Sequence, residues 1–148
     1  MIYLKDYISK ENVHFMTQTA KSDVLSELIE CQKNNLKIHN YDLFRKSVLD
    51  REKILSTGIG NEVAVPHVKL AEIDDFFISV GIHKEGLDWE SIDDKPVHLI
   101  FLIGGKEDQE FYLRLLSKLV LIIKNENIRK NLLECENADE VVSIFSSY

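Results

Sequence analysis

His67 is the residue in this sequence best suited to covalent chemistry, because it directly follows Pro66. Proline fixes its own φ and has no N–H, so Pro66 belongs at the end of a strand rather than inside one. Proline also pushes the preceding residue, Val65, into an extended conformation. We therefore expect His67 where a strand ends and the chain turns. A neutral imidazole, the main form near pH 7, can attack a phosphoryl group through its free ring nitrogen.

Groups that bind anions lie just upstream of His67. A glycine-containing turn combines hydroxyls with backbone amides, and such a turn can point several donors at one phosphate. This turn contains Ser56, Thr57, Gly58 and Gly60. Arg51, which follows a predicted helix, can bring a planar guanidinium to phosphate oxygens. Phosphoryl transfer depends on positioning and charge neutralisation, so these groups can serve it without a metal or another cofactor.

Other interpretations of these residues remain open at the level of spacing. A Pro-His pair at a strand end is more often a structural turn than a reactive site. The Gly-x-Gly is not a P-loop, since no Gly-Lys-Ser/Thr follows, and it lacks the third glycine of a dinucleotide fingerprint. A zinc site of His67, His83 and His98 has no close ligand pair, so we predict no metal. His98 is expected to be a buried imidazole that can also line the pocket wall.

The composition argues against several classes of protein. The chain has 148 residues and a formal net charge of -7, with 25 acidic against 18 basic side chains. Dedicated nucleic-acid-binding proteins usually show a basic face instead. The first residues show no signal-peptide pattern, and the longest apolar runs are far too short to cross a bilayer. We therefore expect one cytoplasmic domain over residues 1–148, without direct membrane insertion.

Two helices are predicted before the glycine turn. Apolar residues recur at helical spacing over residues 20–33, with Thr19 or Ser22 as the N-cap. A second helix should begin after Asn40 and run down to Arg51, before the glycines break the pattern. Arg51 is therefore expected at the C-terminal end of a helix, next to the turn.

Three strands and three helices are predicted after the turn. The segments EVAV, FFISVGI and VHLIFLI favour strands, and the third is apolar enough for a central strand covered on both faces. Helical spacing returns over residues 108–124. Two short helices follow, the second starting at Asn137 with Glu140 as its capping partner. This order of elements predicts an α/β fold in which a sheet is layered with helices.

Two stretches of the chain resemble the enzyme IIA domains of the fructose/mannitol type from the bacterial sugar phosphotransferase system, including their nitrogen-regulatory relatives. The first runs from Arg51-Glu52 through the Ser56–Gly60 turn to Ala64-Val-Pro-His67. The second is EGLDWESIDDKPVHLIFLI, residues 85–103, followed by the helical segment LRLLSKLVLII. The resemblance implies a single α/β/α domain with a mixed β-sheet flanked by helices.

The resemblance also implies a function. In that family the histidine of the Pro-His pair is phosphorylated, a role that falls on His67. The arginine of the Arg-Glu pair lies in the active site, which falls on Arg51. The implied protein is a phosphotransferase of sugar transport. It receives a phosphoryl group from the carrier HPr, forms a phosphohistidine and passes the group to a IIB domain or subunit.

Two positions depart from the family pattern. Many members carry a second active-site histidine at the start of the long helix, where this chain has Tyr112. A tyrosine can hydrogen-bond a phosphoryl oxygen, but it does not titrate near pH 7. Tyr112 and His98 are thus the candidates for a second site residue. Val68 replaces the small residue often found after the histidine, which narrows the approach to His67.

Two alternatives to the transport function remain open. A regulatory protein of the nitrogen type would keep His67, but its phosphorylation state would control binding to target proteins. An inactive IIA-like scaffold is the other alternative, motivated by Tyr112 and Val68. Because IIA domains do not touch the sugar, the sequence does not identify it.

Overall fold

The chain forms six strands, five α-helices and two short 3₁₀-helices (Leu4–Asp6 and Lys10–Asn12), and the computed structural model describes all residues 1–148. The strands are β1 (Val13–Phe15), β2 (Gly58–Gly60), β3 (Val63–Ala64), β4 (His67–Lys69), β5 (Phe77–Leu87) and β6 (Val97–Gly105). The α-helices are α1 (Lys21–Glu30), α2 (Tyr41–Ile54), α3 (Gln109–Ile123), α4 (Glu126–Glu134) and α5 (Ala138–Phe145). None of these helices has the length and apolarity needed to span a membrane.

The strands form one mixed sheet. Their order in space is β1, β5, β6, β3 and β2, with β4 also paired to β6. Strand β1 is parallel to β5, while β3 and β4 are parallel to β6. The long β5–β6 pair is antiparallel, as is the short β2–β3 pair. The mixed α/β sheet implied by the family resemblance is therefore confirmed.

Strand β6 is central and covered on both faces, as its apolar run predicts. Leu99, Phe101 and Ile103 point into a core that residues of α3, α4 and α5 complete. Ile100 and Leu102 point the other way, into a core shared with α1 and α2. Because side chains alternate along a strand, one apolar strand supplies two cores and the helices form a layer on each side.

Helix α2 begins where its sequence predicts and extends beyond the expected end. The Asn40 side chain accepts a hydrogen bond from an N–H of the first turn at 3.1 Å, which satisfies a donor the helix itself leaves free. The helix continues to Ile54, so Arg51 lies in its last turn rather than at its end. The predicted cap of α5 is also confirmed, since Asn137 accepts from the Glu140 N–H at 2.9 Å.

The predicted N-cap of α1 is wrong. The capping position belongs to Ala20, between the two candidates Thr19 and Ser22, and no side chain caps the helix. The carboxylate of Glu27, from within α1, instead accepts hydrogen bonds from the N–H and hydroxyl of Thr17. The segment entering the helix is therefore held by a side chain of the helix itself, without a cap.

Three short strands occupy segments for which the sequence predicted a turn or no element. Strand β1, which contains His14, lies in the sheet parallel to β5, and no element was predicted there. Gly58 and Gly60 belong to β2 and pair with β3, with an irregularity between them. His67 begins β4 and does not lie in a turn. Runs of two or three residues carry almost no periodic signal, so their partners in the sheet define them.

Candidate functional site

The start of β4 determines where His67 lies. Pro66 stands between β3 and β4, and its carbonyl accepts a hydrogen bond from the Ile103 N–H at 2.9 Å. In the parallel pairing of β4 with β6, His67 is the partner of Ile103. Neighbours across a sheet project to the same face, and Ile103 faces the core on the α3 side. The half-buried imidazole of His67 therefore faces α3.

A hydrogen bond defines which ring nitrogen of His67 is free. Its Nδ1 lies 3.1 Å from the Val65 carbonyl oxygen. A carbonyl oxygen only accepts, so Nδ1 carries the hydrogen and the neutral ring keeps its lone pair on Nε2. Burial is the main cause that lowers the pKa of His67, and the Val65 bond opposes it. The positive charges of Arg51 and Lys69 lower this pKa further, so the ring is neutral at pH 7.

Tyr112, in the first turn of α3, is brought directly to His67. The two ring centroids are 5.1 Å apart and the ring planes differ by 29°, which is a stacked arrangement. Burial raises the pKa of Tyr112 to about 12, against the opposing effect of the Arg51 charge. The phenol is therefore protonated at neutral pH. Tyr112 contacts the imidazole as a neutral aromatic ring with a hydroxyl group.

Arg51 reaches the site from the last turn of α2. Its Nη1 donates a hydrogen bond to the Leu55 carbonyl at 2.8 Å. Arg51 takes part in none of the four ion pairs of the structure. Burial lowers the pKa of His67 and Lys69 and raises that of Tyr112, whereas the positive charge of Arg51 acts to lower all three. This shared effect indicates that the guanidinium lies near all three groups. A cation without a carboxylate partner beside a neutral imidazole suits phosphate binding.

The glycine turn has most of its predicted anion donors engaged within the protein. Glu52, only 8% exposed, accepts hydrogen bonds from the N–H (3.0 Å) and the hydroxyl (2.6 Å) of Thr57. The Ser56 hydroxyl donates to the Trp89 carbonyl at 2.6 Å and accepts from the Gly58 N–H at 3.1 Å. In this structure these groups hold the turn in place through partners within the protein.

Lys21 and Trp89 complete the support of this turn. Lys21 Nζ lies 2.9 Å from the Glu52 carboxylate and 5.4 Å from the centroid of the Trp89 ring. The fully buried Trp89 donates from Nε1 to the Thr57 hydroxyl at 3.3 Å. We call this connected set of side chains the support cluster. Its members are Lys21, Glu52, Thr57 and Trp89. It ties α1, α2 and the loop after β5 to the turn.

Gly60 and His98 lie away from His67. Gly60 pairs with β3 at the level of Leu99 in β6, whereas His67 lies beside Ile103. That interval along β6 corresponds to roughly 13 Å. His98 directly precedes Leu99, and its Nδ1 is 3.1 Å from a backbone carbonyl of β5. The structure thus places these two residues apart from His67, and the His98 ring has the hydrogen-bond partner expected of it. It places no three His, Cys, Asp or Glu side chains together for a metal ion.

Lys69 is a residue of the site that the sequence pattern did not reveal. Its Nζ lies 4.0 Å from the centroid of the Tyr112 ring. Burial lowers the pKa of Lys69, and the Arg51 charge lowers it further. Lys69 shares a face with His67 because alternate residues of a strand point the same way. That spacing has meaning only in a strand, and a turn was expected at His67.

Comparisons relate the chain to known proteins. A sequence model of the family described as "Phosphoenolpyruvate-dependent sugar phosphotransferase system, EIIA 2" matches residues 6–148. The PTS system fructose-specific EIIABC component of Bacillus subtilis is 35% identical over 129 residues, which are 86% of this chain but only 20% of that relative. The PTS system fructose-specific EIIA component of Haloferax volcanii is 28% identical over 130 residues, or 85% of this chain and 82% of the relative. The crystal structure of nitrogen regulatory protein IIA-Ntr from Neisseria meningitidis superposes with a TM-score of 0.87 at 25% identity, covering 96% of this chain and 98% of that one.

Proposed function

The chain belongs to the phosphoenolpyruvate-dependent sugar phosphotransferase system EIIA 2 family, and on that premise we propose that it is a phosphocarrier of such a system. It accepts a phosphoryl group from an HPr-like carrier on Nε2 of His67 and passes the group to a IIB component. The proposal treats residues 1–148 as one domain that acts without a cofactor. The relatives named for fructose-specific systems support it.

The observation that carries the proposal is the free Nε2 of a neutral His67. Because Nδ1–H is bonded to the Val65 carbonyl, the lone pair lies on Nε2. That lone pair forms a bond to phosphorus while the bond from phosphorus to the donor's leaving atom breaks, and the leaving atom keeps the electron pair. The phosphorylated ring is cationic, and its Nδ1–H stays bonded to Val65. In the onward step the P–Nε2 bond breaks and its electron pair returns to Nε2.

Arg51 supplies the charge that this step requires. A phosphoryl group carries about two negative charges, and its transfer depends on cations and donors around the equatorial oxygens. Arg51 has no carboxylate partner to give up before it binds such a group. The planar guanidinium can donate two parallel hydrogen bonds to phosphate oxygens. We assign Arg51 to this role.

The surface around the site suits a protein as donor and acceptor. Two large apolar side chains follow Arg51 closely and are strongly exposed, Ile54 at 79% and Leu55 at 69%. Exposed apolar side chains at the end of the helix that carries Arg51 are compatible with a protein–protein contact surface. Partners such as HPr and a IIB component fit this surface better than a small polar metabolite does.

A second candidate function is regulation of the nitrogen type. It is favoured by the likeness to the Neisseria meningitidis nitrogen regulatory protein IIA-Ntr over nearly the whole chain. In that case phosphorylation of His67 would add negative charge to the surface and change the binding of a target protein. The chemistry at His67 is the same in both candidates, so they differ in what the phosphorylated protein does next.

The test is a phosphorylation assay with enzyme I, HPr and radiolabelled phosphoenolpyruvate. We expect acid-labile, base-stable label on the wild-type protein, none on His67→Ala, and normal label on His39→Ala, a control at an exposed histidine. A folded wild-type protein that takes no label from HPr of the same organism contradicts the proposal and favours the inactive scaffold. Transfer of label to a IIB component supports transport. Phosphorylation-dependent binding to a target without such transfer supports regulation.

A further inference from the structure

We propose that Lys69 is a second phosphoryl-binding residue, which the Tyr112 ring holds beside His67 until the phosphoryl group arrives. This inference rests on the proposed function, since it concerns the phosphorylated form of the same histidine. In the unphosphorylated protein the ammonium lies over the Tyr112 ring. After phosphorylation it moves from the ring to a phosphoryl oxygen.

The geometry of three side chains carries this proposal. Lys69 Nζ is 4.0 Å from the Tyr112 centroid, and the Tyr112 centroid is 5.1 Å from that of His67. The ammonium therefore lies no farther from the imidazole centroid than these two distances together. His67 and Lys69 also project from the same face of β4. A phosphoryl group on Nε2 extends away from the ring, so rotation of the flexible lysine chain can close the remaining distance.

The Lys69 ammonium also has no anionic partner within the protein. Lys69 belongs to none of the four ion pairs, and its ammonium donates no hydrogen bond to another residue. Lys21, which also lies over an aromatic ring, has the Glu52 carboxylate at 2.9 Å as well. A cation–π contact is weaker than a charge-assisted hydrogen bond to phosphate. The Lys69 ammonium therefore contacts the Tyr112 ring, but it has no carboxylate partner that would compete with a phosphoryl oxygen.

The identity of the residue at 112 matters for this arrangement. Tyr112 stays neutral near pH 7 because burial raises its pKa to about 12. A neutral ring with an electron-rich face attracts the Lys69 ammonium at all physiological pH values. A histidine at this position would become positive on protonation and would then repel Lys69. Tyr112 therefore fits a site in which the second cation is Lys69 of β4 and not a protonated side chain at position 112 of α3.

The test uses phosphoramidate, a small phosphoryl donor, so that partner docking does not enter the rate. We expect Lys69→Gln to be labelled on His67 about tenfold more slowly than wild type, the loss typical of one hydrogen bond to a charged group. Lys95→Gln removes an exposed lysine far from the site and should be labelled at the wild-type rate. A wild-type rate for Lys69→Gln overturns the inference.

An NMR measurement on the intact protein tests the movement of Lys69 itself. Ring currents of Tyr112 should shift the Lys69 ε-protons upfield in the unphosphorylated protein, and the shift should disappear on phosphorylation. Tyr112→Leu should lack the upfield shift from the start. Labelled wild-type protein whose Lys69 signals do not move overturns the inference and leaves the proposed function standing. Wild-type protein that labels with neither phosphoramidate nor HPr overturns both.

Discussion

The support cluster and the His67 site lie side by side, yet their charged groups have opposite surroundings. In the support cluster, Glu52 meets Lys21 at 2.9 Å and accepts two hydrogen bonds from Thr57. At the site, Arg51 and Lys69 meet no carboxylate at all. Arg51 and Glu52 are adjacent in the last turn of α2, where successive residues point about 100° apart around the helix. One turn of helix thus serves both regions.

The difference separates residues that determine structure from residues available for a ligand. A buried charge with all its partners is costly to disturb, because the partner left behind stays buried without compensation. Cations without carboxylate partners hold the structure together only weakly, but they can bind an incoming anion without first breaking an ion pair. Variants of the support cluster should therefore lose stability, and variants of the site should lose transfer rate.

Glu52→Ala should have the largest effect and should act on stability. Removing the carboxylate leaves Lys21 and both Thr57 donors without an acceptor, and we expect the free energy of unfolding to fall by about 3 kcal/mol. Urea denaturation followed by circular dichroism measures this. Asp50→Ala, in the same helix but in an exposed pair with Lys46, is the matched control and should leave the midpoint unchanged. Equal midpoints for both variants would contradict the division between the regions.

Arg51→Gln should show the reverse pattern. We expect the rate of His67 labelling to fall by about thirtyfold, equivalent to about 2 kcal/mol, because a charged hydrogen bond to the phosphoryl group is lost. The urea midpoint should stay close to the wild-type value, since Arg51 has no ion-pair partner and the variant gives up only an exposed hydrogen bond to the Leu55 carbonyl. Arg51→Lys should fall between the two, as lysine lacks the planar fork. A variant that is destabilised but labels normally would place Arg51 in the support cluster instead.

Trp89→Phe should have a smaller effect, confined to stability. The variant keeps an aromatic ring but loses the Nε1–H bond to Thr57, so we expect a loss of about 1 kcal/mol. Because Trp89 is the single tryptophan, unfolding must be followed by circular dichroism and not by fluorescence. The labelling rate of folded Trp89→Phe should equal that of wild type. A slower rate would show that the loop after β5 takes part in transfer.

The pH dependence of stability should show the smallest effect. Burial holds the pKa of His67 below its unfolded value of about 6.5, so the unfolded state binds more protons in this range. The part of the free energy of unfolding that depends on a neutral His67 is fully present above about pH 6.5. It is lost as the pH falls through the pKa of His67 in the folded protein. His14 behaves alike, since burial lowers its pKa too. His67→Ala should therefore lose less stability than wild type between about pH 7.5 and pH 5.5; identical losses would show that His67 is not desolvated.

The elements that could be predicted from the sequence are those with a strong local signal. Helix α2 has its Asn40 cap, α5 has its Asn137 cap, and β6 has a continuous apolar run. Strands β1, β2 and β4 could not be predicted in the same way. Each of them has three residues, which is too short for the alternation of apolar and polar residues that indicates a strand.

The residues of the candidate site also divide into those with a local sequence signal and those without one. His67 and Arg51 could be chosen from the sequence, because Pro66 and the end of a predicted helix mark them locally. Lys69 could not be chosen, since its relation to His67 depends on both lying in β4. The partners of the glycine turn within the protein could not be predicted either, for a related reason. Its donors meet Glu52 and Trp89, and no sequence pattern announces these partners.

The sequence by itself determined the family resemblance, the order of the longer helices and strands and the candidate histidine, because these depend on residues that are neighbours along the chain. Only the tertiary structure decided which nitrogen of His67 is free, which cations lack partners and which aromatic ring lies against the imidazole. Those contacts join β4 to α2 and α3, which the register of β4 on β6 brings together. Charge and reactivity at the site follow from that register, since burial and neighbouring charge set the protonation of each group.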